Sequence, residues 1–497
     1  MHLRSWLIAL ALCCTLALTS TARDRTRDLD ETERPSPPVV VDTRSQADVA
    51  QQQGDYPKVI ELTNWLIDNF PKDHPYFAFH LRASAKIEMG RVAGSGKLVR
   101  EGISDARLAI LADGAKYPWL HIPYAYGLST LAEIERRPEH AELAIKVVSS
   151  VLAAPPTKEF TDEDRANLFY QRGLAFAAKN DLKAAAADQS EAIRLSPNHL
   201  GAHVKRAAML AALGKTKEAQ AAYDEAVNNF PNVLLVYNDR GAFRRNTRDL
   251  DGAIGDFTRC LEIDPTFAVG FLNRGFCLAD QNSPQAAEGD FSAALKLKLD
   301  VATSGIAYRF RATARLLQGN AAAAIADFNA AIKADPRDAT LYEERGFANF
   351  FNKSFPAAIS DFSKAMQMNP KAIHLLPWQA LALSRSGQSA EGRVLLESAP
   401  AGKTPPTGWV AKLDDLLLDK ISADELLEAV LNPDPNEKNR RLCEAQFFIG
   451  QKQLLHEEAT TATSHFREAL ACNEHSLSAF RGARYELNDF KQDDLKQ

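Results

Sequence analysis

Small, aromatic and proline residues recur along the middle of the chain with a period of 34 residues. Each repeat is numbered here so that its first small residue is at position 8; a second small residue is at position 20, and a third at position 27. Position 24 is aromatic in most repeats, and proline at position 32 comes after the second helix. Position 8 is filled by Gly173, Ala207, Gly241, Gly275, Ala312 and Gly346, and position 24 by Gln189, Tyr223, Phe257, Phe291, Phe328 and Phe362. The pattern predicts two antiparallel helices per repeat, with small residues where the helices approach and proline to end the second.

This period and this order of residues resemble the tetratricopeptide repeat (TPR). The resemblance implies an all-α fold, a TPR α-solenoid in which about eleven helical hairpins stack into a right-handed superhelix. A single hairpin cannot bury its apolar faces, whereas stacked neighbours bury them in one continuous core. The first helix of each hairpin is then expected to line a concave groove.

A second recurrence consists of charged residues. Arginine is at position 7 of all six regular repeats, and aspartate is at position 23 of five of them. These two positions are mirror-related about the hairpin turn, so their side chains are expected to meet. We favour a ladder of ion pairs that fixes the register of each hairpin, and an arginine-lined ligand surface is the alternative. The residues are Arg172, Arg206, Arg240, Arg274, Arg311 and Arg345, with Asp188, Asp256, Asp290, Asp327 and Asp361.

The N-terminus has the features of an export signal. An apolar stretch over residues 6–18 is too short to span a bilayer, and Ser20 and Ala22 follow it as small residues before a cleavage site. Residues 1–22 are therefore expected to be a signal peptide, which predicts an exported, periplasmic protein that is associated with the cell envelope. Neither Cys13 nor Cys14 follows a small residue, so a lipid anchor is disfavoured, although lipidation stays open.

The rest of the chain divides according to how regular the repeats are. Residues 23–43 are rich in charge and proline and are expected to form a flexible tether. Irregular TPR-like hairpins are predicted over 44–160, the regular array over 161–400, and a linker with short helices over 401–441. Residues 442–490 are expected to form a C-terminal TPR unit with a capping helix.

The segment from Trp409 onwards also resembles the closing segment of the NlpI family of cell-envelope TPR lipoproteins. The matching runs are residues 419–422 (DKIS), 425–427 (ELL), 443–451 (CEAQFFIGQ), 466–470 (FREAL) and 486–487 (EL). The resemblance implies a helical scaffold in the envelope, with an envelope protease or a cell-wall hydrolase as the class of partner.

Composition and charge narrow the functional classes. The chain is 45% hydrophobic and 25% charged, as folded globular proteins are, and its net charge is only −5. Such a balance gives no electrostatic reason to expect nucleic acid as a partner. Beyond the N-terminus no apolar run is long enough to span a membrane.

The sequence matches parts of two enzyme motifs, and neither match is complete. Residues 90–98 resemble a phosphate-binding loop, but Arg91 replaces its first glycine and Leu98 replaces the hydroxyl residue that would hold magnesium. The run His456-Glu457-Glu458 lacks the second histidine of a zinc protease. We therefore expect no catalytic residues, cofactor or metal, and a scaffold or adaptor that binds a protein or peptide. The alternative is an enzyme or small-molecule-binding protein with an unrecognised site.

The candidate peptide-binding groove is predicted in the later repeats, where the first helices become apolar and aromatic. A concave, partly aromatic surface can bury the apolar side chains of a peptide, and flanking arginines can fix its polar groups. Packing of these aromatic residues between adjacent helices is the alternative interpretation. The predicted groove residues are Arg309, Phe310, Phe347, Phe350, Phe351, Trp378, Leu381 and Arg385.

Four cysteines remain after removal of the signal peptide. Cys443 and Cys472 occupy positions 1 and 30 of the last repeat, which are at the same open end of the hairpin. A disulfide between them is feasible and suits an oxidising compartment, and two buried thiols are the alternative. Cys260 and Cys277 are about 9 Å apart along the helices, which is too far for a bond without distortion.

Overall fold

The computed structural model describes residues 38–73, 75–399, 406–431, 437–475 and 477–494. Within these ranges every regular element is a helix and no strand occurs, so the predicted all-α solenoid fold is confirmed. The predicted signal peptide, including Cys13 and Cys14, lies outside the described residues. So does the predicted tether up to residue 37.

The described residues form two compact units that divide after Pro265. The N-terminal unit contains six helical hairpins, and the chain enters its third hairpin through a short 3-10 helix (Pro118–Leu120). Its helices are α1 (Pro38–Gln53), α2 (Tyr56–Asn69), α3 (Pro75–Val92), α4 (Gly96–Asp113), α5 (His121–Glu135), α6 (Pro138–Leu152), α7 (Asp162–Ala178), α8 (Leu182–Leu195), α9 (Leu200–Ala212), α10 (Thr216–Asn229), α11 (Leu234–Asn246) and α12 (Leu250–Ile263).

The C-terminal unit contains five further hairpins, two short helices and a final single helix. A 3-10 helix (Ile373–Leu375) precedes its fourth hairpin. Its helices are α13 (Ala268–Asp280), α14 (Pro284–Lys296), α15 (Val301–Leu317), α16 (Ala321–Ala334), α17 (Ala339–Phe351), α18 (Phe355–Met368), α19 (Leu376–Arg385), α20 (Ser389–Ser398), α21 (Gly408–Leu417), α22 (Ala423–Val430), α23 (Lys438–Leu455), α24 (Ala459–Ala471) and α25 (Ser478–Asp494).

One turn conformation joins the two helices of every regular hairpin. The residue at position 15 has a positive φ in each, for example Asn180 (63°), Gly214 (74°) and Gly319 (86°). A left-handed residue ends the first helix, and the next residue is the N-cap of the second. The Asp181, Asp249 and Asn320 side chains accept hydrogen bonds from backbone N–H groups of the helices that they precede, which satisfies donors that a helix start leaves free.

The spacing of small and aromatic residues that recurs in each repeat produces close contacts between helices. Phe257, Phe291, Phe328 and Phe362 at position 24 are fully buried. A Cβ atom on Gly346 would lie 2.7 Å from the Phe362 ring, and one on Gly275 would lie 2.9 Å from Phe291. The small residue at position 8 is therefore required because the position 24 ring packs directly against the first helix.

The structure corrects two of the predicted boundaries. Helix α1 begins at Pro38, so residues 38–43 belong to the first hairpin instead of the tether. Val40 is fully buried there, which gives this stretch an apolar anchor that a flexible tether lacks. Helix α23 begins at Lys438, four residues before the predicted start of the last repeat, while α21 and α22 occupy the predicted linker.

Asp414 on α21 is a buried acid without a hydrogen-bond partner among the described residues. Burial, together with the neighbouring Asp415 carboxylate, raises the pKa of Asp414 to about 7. The unfolded chain loses this proton near pH 4, whereas the folded chain keeps it until about pH 7. Asp414 therefore lowers the free energy of unfolding as the pH rises through this window.

An Asp414→Asn variant should melt at a higher temperature than the wild type at pH 8. The amide has a similar shape and carries no charge, so the cost of burying a carboxylate disappears. Thermal unfolding followed by circular dichroism between pH 4 and pH 8 checks this. The difference should shrink towards zero near pH 4, and a constant difference across the series would contradict the assignment.

Ala324→Trp should lower the free energy of unfolding by about 1–3 kcal/mol, because Ala324 at position 20 of α16 is fully buried against the first helix of its hairpin. Ala322→Trp is the matched control, since Ala322 is on the same helix and is exposed. Urea unfolding of both variants measures the difference. Equal effects at the two positions would show that the hairpin is not closely packed at position 20.

Candidate functional site

The predicted ladder of ion pairs is present in both units. In the hairpin of α15 and α16, Arg311 donates from Nε to Asp327 Oδ2 (2.8 Å) and from Nη2 to Asp327 Oδ1 (2.6 Å). The same bidentate geometry, with two hydrogen bonds from one guanidinium to one carboxylate, joins Arg172 to Asp188, Arg240 to Asp256, Arg274 to Asp290, and Arg345 to Asp361. The aspartates are buried, so each arginine neutralises an acid in the interior of its hairpin.

A further N–H group of the arginine reaches the preceding hairpin. Arg311 Nη1 donates to Ser292 Oγ (3.2 Å), and Arg345 Nη1 donates to Asn329 Oδ1 (2.7 Å). Both acceptors are at position 25 of the preceding repeat. The arginine therefore sets the register within its own hairpin and between neighbouring hairpins, a link that the sequence pattern did not indicate.

The ladder also extends into the irregular N-terminal hairpins. Arg82 on α3 donates from Nε (2.9 Å) and Nη2 (2.6 Å) to the two oxygens of Asp105 on α4. Sequence reasoning missed this pair because its residues are 23 positions apart, whereas the regular pairs are 16 apart. The signal available was an aromatic residue three positions before the arginine, since Phe79 lies under Arg82 as Tyr308 lies under Arg311.

The structure places most of the predicted groove residues in the interior of the C-terminal unit. Phe347, Phe350, Phe351, Trp378 and Leu381 are all buried, and they belong to one hydrophobic core. The Trp378 ring is at the centre of this core, 4.9 Å from the Phe347 ring and 4.8 Å from the Phe447 ring, between ring centroids. These side chains are therefore covered by other elements of the same unit, and their role in binding a peptide stays a prediction.

Two of the other predicted groove residues, Arg309 and Phe310, lie on α15 and are only partly buried. Arg309 Nη1 lies 3.4 Å from Asp338 Oδ2, and the Phe310 ring meets the Phe276 ring edge-on, with 4.6 Å between their centroids. Both contacts join neighbouring hairpins. Neither residue lies beside the buried aromatic residues around Trp378.

The final helix, α25, covers the face formed by the first helices α15, α17, α19 and α23, here called the first-helix face. The Tyr485 ring stacks on the Phe351 ring with 5.1 Å between centroids, and its hydroxyl donates to the Leu316 carbonyl (3.3 Å). Gly482 makes the closest approach, because a Cβ atom there would lie 2.6 Å from the Phe447 ring. Helix α25 thus occupies the surface where a peptide was expected.

Charged groups fix the position of α25 on this face. Arg385 Nη1 donates to Glu486 Oε1 (2.9 Å) and to Gln451 Oε1 (2.6 Å), while Gln451 Nε2 donates to the same Glu486 oxygen (2.8 Å). Arg481 Nη1 donates to Glu344 Oε2 (3.2 Å). Arg385 therefore fixes a polar group of a helix of its own chain, and a contact with a partner peptide stays a prediction.

All four cysteines among the described residues are free thiols. Burial raises the pKa of the Cys443 thiol, and the nearby Cys472 raises it further. Cys472 is partly exposed, and its Sγ lies 3.5 Å from the Glu468 carbonyl. The two thiols are thus near each other, and a disulfide between them under oxidising conditions stays a prediction.

No group of three or more potential metal ligands occurs in the part of the chain that the structure describes. Across the same residues, no helix combines the length and the apolar character needed to cross a bilayer. A pocket lies in the N-terminal unit, beside Arg206.

Stacked hairpins of this length, with the period and the turn described above, define a repeat protein of the TPR class. The family model for the tetratricopeptide repeat matches residues 166–199, 272–339 and 311–373. The chain is a tetratricopeptide-repeat protein. Among curated proteins none matches it significantly.

Several solved structures are similar to parts of the chain. YrrB, described as a TPR protein with an unusual peptide-binding site, is 19% identical over 37% of this chain and 94% of its own, with a TM-score of 0.34. PilF of Pseudomonas aeruginosa is 16% identical over 42% and 94%, with a TM-score of 0.37. A TPR protein from Parabacteroides merdae is 15% identical over 65% and 98%, with a TM-score of 0.33.

Asp361→Ala should lower the free energy of unfolding by about 3–5 kcal/mol, since it leaves a partly buried charge without its partner. Asp361 accepts hydrogen bonds from Arg345 Nε (2.9 Å), Arg345 Nη2 (2.6 Å) and Asn349 Nδ2 (2.9 Å). Glu397→Ala is the control, because its pair with Arg393 is half exposed and should contribute about 0–1 kcal/mol. Denaturant unfolding compares the two, and equal losses would contradict a structural role for the ladder.

Proposed function

We propose that this protein is a non-catalytic adaptor of the bacterial cell envelope that binds a helical segment of a partner protein on the first-helix face of its C-terminal unit. The observation that carries the proposal is the docking of α25 on this face. A repeat surface that holds a helix of its own chain through rings and charges has the chemistry to hold a helix from another chain.

The contacts of α25 define what such a partner should carry. Tyr485 supplies a ring for Phe351, Gly482 permits close approach to Phe447, and Glu486 supplies a carboxylate for Arg385. Arg481, one turn before Tyr485, supplies a cation for Glu344. A matching segment is an amphipathic helix with an aromatic anchor between a basic and an acidic residue.

The envelope location and the class of partner depend on the sequence. Residues 1–22 have the features of an export signal, and the resemblance to the NlpI family supports an envelope protease or a cell-wall hydrolase as partner. An enzyme or a small-molecule-binding protein remains the competing function. That alternative would require a ligand to co-purify with the chain and a reaction to depend on it.

The proposal is tested with a labelled synthetic peptide of residues 477–494, which is the α25 helix supplied in trans. Full-length wild-type protein should bind it weakly, because the tethered helix competes at an effective concentration in the mM range. A Gly482→Leu variant forces α25 off Phe447, so the same peptide should bind it at least ten-fold more tightly. Fluorescence anisotropy measures both affinities, and circular dichroism establishes that the variant stays helical.

Two further variants make the result specific. Asn488→Ala changes an exposed residue of α25 and should leave peptide binding as weak as in the wild type. Arg385→Glu combined with Gly482→Leu removes the cation that holds Glu486 and should abolish the gain. If a folded Gly482→Leu protein binds the peptide no better than the wild type does, the first-helix face is not a helix-binding surface.

A further inference from the structure

One regular hairpin of the N-terminal unit lacks the arginine–aspartate ion pair between positions 7 and 23. In the hairpin of α9 and α10, Arg206 is at position 7 as in the other five regular repeats, but Ala222 is at position 23, where those five have aspartate. Position 11, which supplies a second donor to the aspartate through Arg244, Arg315 or Asn349 in other repeats, is Leu210. This hairpin therefore keeps the arginine and has lost both the acid and the second donor.

A pocket of about 430 Å³ that is open to solvent lies between α8, α9 and α10, beside Ala222. Alanine side chains at 186, 187, 221 and 222, together with Leu210, line its apolar part. Ser190, Arg206, Glu218 and Glu225 supply its polar part. The lining thus combines an apolar surface with one cation, Arg206, and two carboxylates, Glu218 and Glu225.

Arg206 has an unused donor in this cavity. Its Nε atom is buried and has no hydrogen-bond partner, whereas the Nε atoms of the five complete pairs donate to aspartate over 2.7–3.1 Å. A buried donor without an acceptor is unfavourable, because it has given up its hydrogen bonds to water. An acceptor supplied from outside would remove this penalty.

Glu225 does not take the place of the missing aspartate. Its carboxylate accepts from Arg206 Nη2 (2.5 Å) and lies 3.6 Å from His203 Nδ1, and it leaves Arg206 Nε unpaired. The neighbouring hairpin shows that one arginine of this ladder holds two acids at once, because Arg240 donates to Asp256 through Nε and Nη2 and to Asp224 through Nη1 (2.7 Å). Arg206 therefore has the capacity for a second carboxylate beside Glu225.

The local charge does not oppose such a ligand strongly. Glu218, the other acid of the lining, is paired with Lys215 Nζ at 2.9 Å, and Arg206 compensates Glu225. The four charges sum to zero before the ligand enters. The alanine-lined wall is suited to the methylene groups that carry a carboxylate in an aliphatic acid or an acidic side chain.

We propose that the cavity at Arg206 binds a carboxylate of a ligand, in the position that aspartate occupies in the other hairpins. The carboxylate is carried either by a small aliphatic acid or by an acidic side chain of a partner peptide. The site is formed by α8, α9 and α10 of the N-terminal unit alone and does not depend on the first-helix face that α25 covers.

Two probes distinguish the sources of the carboxylate: glutarate, and a capped tripeptide Gly-Glu-Gly. Glutaramide is the neutral control for the first and capped Gly-Gln-Gly for the second. Calorimetric titration of the full-length protein at low salt should detect binding of at least one carboxylate probe and of neither amide. Tighter binding of glutarate assigns the site to small acids, and tighter binding of the tripeptide assigns it to a protein partner.

Ala222→Asp supplies the missing carboxylate from the chain itself, and it is the decisive variant. It should raise the melting temperature and weaken binding of the carboxylate probe at least ten-fold, because the new side chain takes the Nε donor. Ala222→Asn fills the same space without the charge and should raise the melting temperature less. Arg206→Gln should abolish binding while leaving the helical content unchanged.

Two results would contradict a carboxylate site at Arg206. If neither carboxylate probe binds the folded wild-type protein at 10 mM, about the weakest affinity of interest for a ligand site, the aspartate position is simply vacant and the proposal is wrong. It is equally wrong if binding persists in a folded Ala222→Asp protein. Failure here leaves the test of the first-helix face unaffected, since that test uses a different surface and a different ligand.

Discussion

The bidentate ion pair between arginine and aspartate, which is present in five of the six regular hairpins, is the interaction on which the register of the repeat depends. Apolar contacts between helices are strong but not directional, so they allow one helix to slide against another. A guanidinium and a carboxylate that exchange two parallel hydrogen bonds allow a single register. Since the same guanidinium also reaches position 25 of the preceding hairpin, in the bonds of Arg311 to Ser292 and of Arg345 to Asn329, the register is passed on from hairpin to hairpin.

The 34-residue period of the sequence predicted the contacts that recur in the regular hairpins. It could not predict features that occur only once. Small residues at positions 8 and 20, the ring at position 24 and the ladder of charges all follow from contacts that every hairpin makes, so each repeat supplies independent evidence for them. The start of α1 at Pro38 and the pair of Arg82 with Asp105 lie outside this period. In α3 and α4 the helices are longer, which changes the spacing of the pair without changing its geometry.

The predicted groove residues around Trp378 were expected to be exposed, and the structure shows them buried. The positions of Phe351, Trp378 and Arg385 within their repeats place them on the first helices, but a repeat pattern does not indicate whether another element lies over them. Helix α25 has no repeat motif, and its role depends on one face that carries Ala479, Gly482, Ala483 and Tyr485. Two alanines and a glycine beside a single ring are the signal in the sequence that this helix packs closely against something.

A stack of hairpins always ends on an apolar face that has no next hairpin to cover it, and α25 is the solution that this chain uses in its C-terminal unit. The same helix then changes the thermodynamics of the surface it covers. A partner that binds there must compete with a tethered helix, so its apparent affinity is its intrinsic affinity multiplied by the fraction of molecules in which α25 is undocked. This factor is the same for every ligand of the face, so the Tyr485 stacking and the Glu486 bond to Arg385 set the affinity that any competing segment would have to reach.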